Sequence, residues 1–147
     1  MPLIIVVTII VYMILLGWTW STLGDLDRIR KIIIIFFEVL IMYVITLIIF
    51  GISENGLVYT SKDAQNDIRN VMVIIFTGIN SLIVIPYINK QIIKLKEKEI
   101  EKENLIKKSI ILCVIFVIFL VIECGYMKDT QKGIIKMEQV YIEQNKG

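Results

Sequence analysis

The sequence between residues 2 and 23, PLIIVVTIIVYMILLGWTWSTL, contains no charged side chain. An apolar run of this length, coiled as an α-helix, can cross the roughly 30 Å of hydrocarbon in a lipid bilayer. Hydrocarbon offers no partner to peptide N–H and C=O groups, so a crossing segment must satisfy them within itself, as a helix does. This stretch therefore predicts a membrane protein built from α-helices.

Three further apolar runs follow the first. We predict an all-α membrane protein with four transmembrane helices in an up-down bundle, at about residues 2–23, 32–50, 68–88 and 109–125. The composition agrees with this prediction, since 56% of the 147 residues are hydrophobic. We expect a single membrane domain that is surrounded by lipid. The excess of Ile together with Lys is typical of an AT-rich genome and predicts a bacterial source.

Charged residues are concentrated between the third and fourth runs, at 89–108. Lys and Glu dominate there and Gly and Pro are absent, so we expect the third and fourth helices to extend into a charged cytoplasmic helical hairpin. Its turn is predicted near Glu103-Asn104. The polar tail at 126–147 is expected either to lie on the membrane surface as a short helix or to be disordered.

The distribution of basic residues predicts the orientation in the cell membrane. Ten of the sixteen Lys and Arg fall in the two connections at 24–31 and 89–109. Loops rich in Lys and Arg stay in the cytoplasm, so we expect both of these connections inside and both termini outside the cell membrane.

Glu38 lies six positions into the second apolar run, about 9 Å deep if the rise is 1.5 Å per residue. An ionised side chain at such a depth is costly, and no span offers it a Lys or Arg at the same level. We expect Glu38 to be protonated, hydrogen-bonded or facing water. The predicted donors at matching depth are Trp18, Thr19, Thr22 and Tyr87. Glu38 is either an acid that lines a proton or cation path or a neutral acid that joins two helices.

In the third span, Thr77, Asn80 and Ser81 occupy an arc of about 100° on the helix, calculated at 3.6 residues per turn. Thr77 and Ser81 are small and spaced for close helix approach, and Asn80 can hydrogen-bond across an interface. We expect this arc to face protein, as a packing surface or as a solute or ion site. Together with Glu38, these residues form the candidate intramembrane polar site. By contrast, Glu123 at the predicted outer end of the fourth span is expected to reach water.

The charged hairpin carries apolar residues at helical spacing. Ile88, Ile92 and Leu95 are four and three residues apart, and Ile100 follows on a neighbouring stripe. These four residues form a candidate partner-binding arm, which would meet a helix of another protein. The alternative is a solvated helical extension that attracts anionic lipid.

Several classes of function lack their residues in this sequence. The chain has no His, and no zinc-binding, phosphate-binding or nucleophile motif is present, so we expect no enzymatic activity, no cofactor and no metal. The net charge of +2 gives no reason to expect nucleic acid as a partner.

Three hypotheses about function remain. The first is a non-enzymatic membrane protein that associates with itself or serves as an accessory subunit of a membrane complex. The second is a small oligomeric channel or proton-coupled carrier that uses Glu38 and Asn80. The third is a lysis, toxin or immunity protein of the membrane.

Overall fold

A computed structural model describes residues 2–54 and 62–146 of the chain, with side chains at 3–54 and 66–146. These residues form four α-helices, and the described ranges contain no strand. The helices are α1 (Pro2–Thr22), α2 (Arg28–Ser53), α3 (Lys62–Lys96) and α4 (Lys102–Asn145). Each one is long and apolar enough to cross a membrane, so the predicted all-α fold with four span-length helices is confirmed.

The third helix lies at the centre of the molecule and packs against the other three, whereas α1 and α4 do not approach each other within the described residues. Half of the most apolar stretch of α3 is buried, but none of the corresponding stretch of α4. On one side of α3 the Tyr12 hydroxyl donates a hydrogen bond to the Ile74 carbonyl oxygen at 2.9 Å. Three of the four residues of the candidate polar site, Thr77, Asn80 and Ser81, lie on this central helix.

A small hydrophobic core joins α2, α3 and α4 near the end of α2. It consists of Phe50, Val73, Phe76 and Met127. The rings of Phe50 and Phe76 meet edge to face, with their centroids 5.3 Å apart. Edge-to-face contact is a preferred arrangement of aromatic rings, so this core fixes how α2 and α3 are positioned relative to each other.

The turn between α3 and α4 comes earlier than Glu103-Asn104, where the sequence predicts it. The N–H of Glu99 donates to the Lys94 carbonyl at 3.0 Å and that of Lys98 to the Leu95 carbonyl at 3.2 Å. This pair of bonds is the Schellman motif that ends many helices, and its left-handed position is held by Lys98 at φ 57°. Gly usually occupies this position, so the sequence carries no signal for the turn.

Residues 126–146 are neither a separate surface helix nor disordered, the two alternatives expected for the tail. The last helix continues without a break to Asn145, and both Met127 and Gln131 are completely buried. Helix α4 has 44 residues, or about 66 Å at 1.5 Å per residue, and extends beyond the level at which α2 ends. The predicted end of the fourth span at 125 marks a change in hydropathy but not the end of the helix.

Candidate functional site

The polar arc on α3 is buried inside the molecule. Thr77 is 1% exposed, and Asn80 and Ser81 are completely buried. The side-chain amide of Asn80 donates to a carboxyl oxygen of Glu123 on α4 at 3.0 Å. The expected hydrogen bond of Asn80 across a helix interface is thus present, and its acceptor is an acid on another helix.

The prediction that Glu123 reaches water is wrong, since this residue is only 5% exposed. Position 123 lies well inside α4, because the helix extends to Asn145. The Glu123 side chain therefore points toward α3 and not toward water at a helix end. Within the described residues, the second carboxyl oxygen of Glu123 and the amide oxygen of Asn80 form no hydrogen bond. The pair is therefore held by one direct bond.

Mutation of the Asn80–Glu123 pair tests whether this bond holds α3 to α4. In a double-mutant cycle of Asn80→Ala and Glu123→Ala, we expect a coupling free energy of about 0.6 kcal/mol and at most about 1.7 kcal/mol, the range of hydrogen bonds between membrane helices. The measurement is SDS-induced unfolding in mixed micelles, followed by circular dichroism. Strictly additive losses in the two single variants would show that the bond contributes nothing.

Glu38 is hydrogen-bonded, as one of its three expected states requires, but its donor is not one of the four predicted residues. The side-chain amide of Asn89 on α3 donates to Glu38 at 3.2 Å. Tyr87 lies two positions before Asn89, which puts it about 200° round α3 from the side that meets Glu38. The Thr22 hydroxyl donates to the Thr19 carbonyl oxygen instead. The predicted span ends at residue 88, so the sequence analysis placed Asn89 outside the bilayer.

A cavity of about 190 Å³ adjoins Glu38. It is lined by Asn89 and Lys96 of α3 and by Leu26 of the connection between α1 and α2. Leu26 and Lys96 are therefore close to the same level, so the turn between α3 and α4 does not extend far beyond the one between α1 and α2. Glu38, Asn89 and Lys96 are the polar and charged residues of a lining that is otherwise apolar. A space of this size is large enough for water.

The four residues of the proposed partner-binding arm differ in position and in exposure. Ile88 and Ile92 lie on α3 and are 38% and 41% exposed, whereas Leu95 is half-buried near the helix end. Ile100 belongs to the turn and is also half-buried. Ile88 and Ile92 border a space of about 200 Å³ together with Leu105 and Ser109, so this part of α3 faces α4 of the same chain. Partner binding by these residues stays a prediction.

A third polar contact was not found by sequence reasoning. Glu54, directly after α2, is 7% exposed and receives a hydrogen bond from the Gln131 amide at 2.7 Å. Its other oxygen pairs with the Arg69 guanidinium at 3.0 Å. Glu54 lies between the second and third predicted spans and Gln131 lies in the predicted polar tail, so only the three-dimensional packing brings this cluster together.

The buried carboxyl groups of Glu54 and Glu123 and the half-buried one of Glu38 each accept a hydrogen bond from a side chain of α3. The residues of α3 at these contacts are Arg69, Asn80 and Asn89, which lie about 16 Å and 13 Å apart along the helix at 1.5 Å per residue. Glu38 and Asn80, proposed together as one polar site, do not meet. Such separate contacts can fix the positions of helices, but they are too far apart for direct proton transfer.

No family model, curated protein or solved structure matches this chain.

Proposed function

We propose that this chain is a non-enzymatic membrane protein that crosses the cell membrane four times, up and down, and associates with itself or with a larger membrane complex. Support for membrane insertion comes from an inverted distribution of side chains. Among the described residues, eleven polar or charged side chains are buried but only nine hydrophobic ones. Large hydrophobic residues are exposed along all four helices, which suits a lipid surrounding and not water.

The orientation follows from the charges at the helix ends. In this proposal the connections at 24–31 and 89–109 lie in the cytoplasm and both termini lie outside. The part of α4 beyond Gln131 then extends into the extracytoplasmic space, past the level at which α2 ends.

The observation that carries the proposed association is an apolar stripe on this extension. Met137, Val140 and Tyr141 are 66%, 46% and 68% exposed. Their spacing of three and four residues places them on one face of α4. Lipid does not cover a helix that has left the bilayer, so this stripe needs protein as a partner, and an amphipathic helix is the simplest one.

Cysteine crosslinking tests the association. In a background where Cys113 and Cys124 are replaced by Ala, Tyr141→Cys is expected to form a disulfide-linked species on mild oxidation in membranes. A band of twice the mass indicates a second copy, and a band of any other mass above the monomer indicates another subunit with a cysteine at the interface. The matched control is Gln139→Cys, which is also exposed but lies about 150° from the centre of the stripe. Equal crosslinking at both positions, or a monomer without partner by native mass spectrometry, would contradict the proposal.

A channel or proton-coupled carrier is the second candidate function, and the cavity at Glu38 favours it. The carboxyl group borders a space of about 190 Å³ that also reaches Lys96. In this version Glu38 and Asn89 form the polar path and Asn80 is a packing residue. Glu38→Gln is then expected to abolish proton or cation flux into proteoliposomes. Unchanged flux in the variant, or no flux with the parent protein, would reject this candidate.

A further inference from the structure

A groove separates α1 from α2. Its volume is about 590 Å³, which lies within the range of about 300–1,000 Å³ that is typical of small-molecule sites. The walls are almost entirely apolar, with Leu16 and Trp20 of α1 facing Ile32 and Val39 of α2. The groove is partly open to its surroundings, so a long and flexible apolar molecule can enter it.

Basic residues lie at one end of this groove. Lys31 precedes Ile32 in the wall of the groove, and its ammonium group lies 5.1 Å from the centroid of the Trp20 ring. Lys31 is only 9% exposed, and it has no carboxylate partner within the described part of the chain. A buried ammonium group without a counter-charge is costly, and contact with an aromatic ring compensates for only part of that cost.

The neighbouring charges do not neutralise Lys31. Arg30 pairs with Asp27 at 3.6 Å, and both side chains are largely exposed. Arg28 lies four residues before Ile32, so it continues the same face of α2 beyond the end of the groove. Arg28 and Lys31 together favour an anionic group at this end.

The length of the groove indicates which molecule it takes. From Ile32 to Tyr43, both in the wall of the groove, α2 rises by about 16 Å. This is about half of the 30 Å hydrocarbon thickness of a bilayer, or the depth of one leaflet. A helix of a second copy crosses both leaflets and would be covered over only part of its length, whereas a lipid acyl chain extends over one leaflet and matches the length of the groove.

We propose that the groove binds an anionic phospholipid, with one acyl chain between α1 and α2 and the phosphate group on Lys31. Basic pockets between membrane helices bind anionic headgroups in the same way. The site rests on the membrane insertion proposed above, but it is independent of the proposed association through α4.

Tryptophan fluorescence tests this site, because the chain has only two Trp, at 18 and 20. Trp18→Phe leaves Trp20, which lines the groove, as the reporter. The protein is reconstituted into vesicles that contain phosphatidylglycerol or phosphatidylcholine with brominated acyl chains, which quench Trp on contact. We expect about five-fold tighter association of the brominated phosphatidylglycerol at Trp20, from the attraction of one basic residue. Lys31→Gln in this background is expected to reduce the preference to about one.

Two control variants separate the possible failures. Lys90→Gln removes an exposed Lys near the same end of the bundle and is expected to keep the five-fold preference. Trp20→Phe leaves Trp18, which is 53% exposed and is expected to be quenched equally by both lipids. If Trp18 is not quenched, the chain is not inserted and the proposed function fails. If Trp18 is quenched but Trp20 shows no preference, or is quenched by neither lipid, the lipid site is overturned.

Discussion

Replacing Arg69 with Met is expected to lower the free energy of unfolding by about 3 kcal/mol, because the change leaves a buried carboxylate without its cation. Glu54 is 7% exposed, and after the change the Gln131 amide remains as its one donor among the described residues. We expect the lower end of the usual range because the Arg69 side chain is itself 30% exposed. The free energy is measured by SDS-induced unfolding in mixed micelles.

The matched control for Arg69→Met removes both charges at once. The double variant Glu54→Gln, Arg69→Met leaves no unpaired carboxylate at position 54, so it is expected to lose much less stability than Arg69→Met alone. Gln131 can still donate to the amide oxygen that replaces the carboxylate. If the single and double variants are equally unstable, the ion pair does not account for the loss.

Hydropathy is sufficient to predict the four helices, since an apolar run of membrane length has no other stable form in lipid. Helix ends outside these runs depend on tertiary contacts. The tail continues α4 because Met127 and Gln131 pack against the other helices, and neither residue signals this in the sequence. The end of α3 depends on Lys98 adopting a left-handed conformation that usually belongs to Gly.

The candidate site could be predicted only in part. Asn80 lies within an apolar run, so its polarity alone indicates a buried interface, which the structure contains. The partner of Glu38 was missed because Asn89 falls beyond the predicted span. A shift of one helix along another changes which side chains meet, and hydropathy carries no information about such shifts. Glu54 illustrates the same limit, since its two partners lie on different helices.

Replacement of Gly78 by Ala is expected to destabilise the contact between α1 and α3 by about 1–3 kcal/mol, the usual cost of overpacking. A Cβ atom at this position would lie 2.7 Å from Cε2 of the Tyr12 ring. The ring cannot move away without loss of the hydrogen bond from its hydroxyl to Ile74. The free energy of unfolding in mixed micelles again measures the effect.

Two comparisons assign the loss in Gly78→Ala to the Tyr12 ring. Gly17→Ala on α1 meets nothing within 4 Å and is expected to stabilise the protein by about 0.5–1 kcal/mol, as the replacement of a helical Gly normally does. In a Tyr12→Leu background the ring is absent, so Gly78→Ala is expected to cost little or to stabilise. An equal loss in both backgrounds would mean that Gly78 is needed for a contact other than the one with Tyr12. Close packing of α1 on α3 therefore depends on Gly78, because any side chain at this position would collide with the rigid ring of Tyr12.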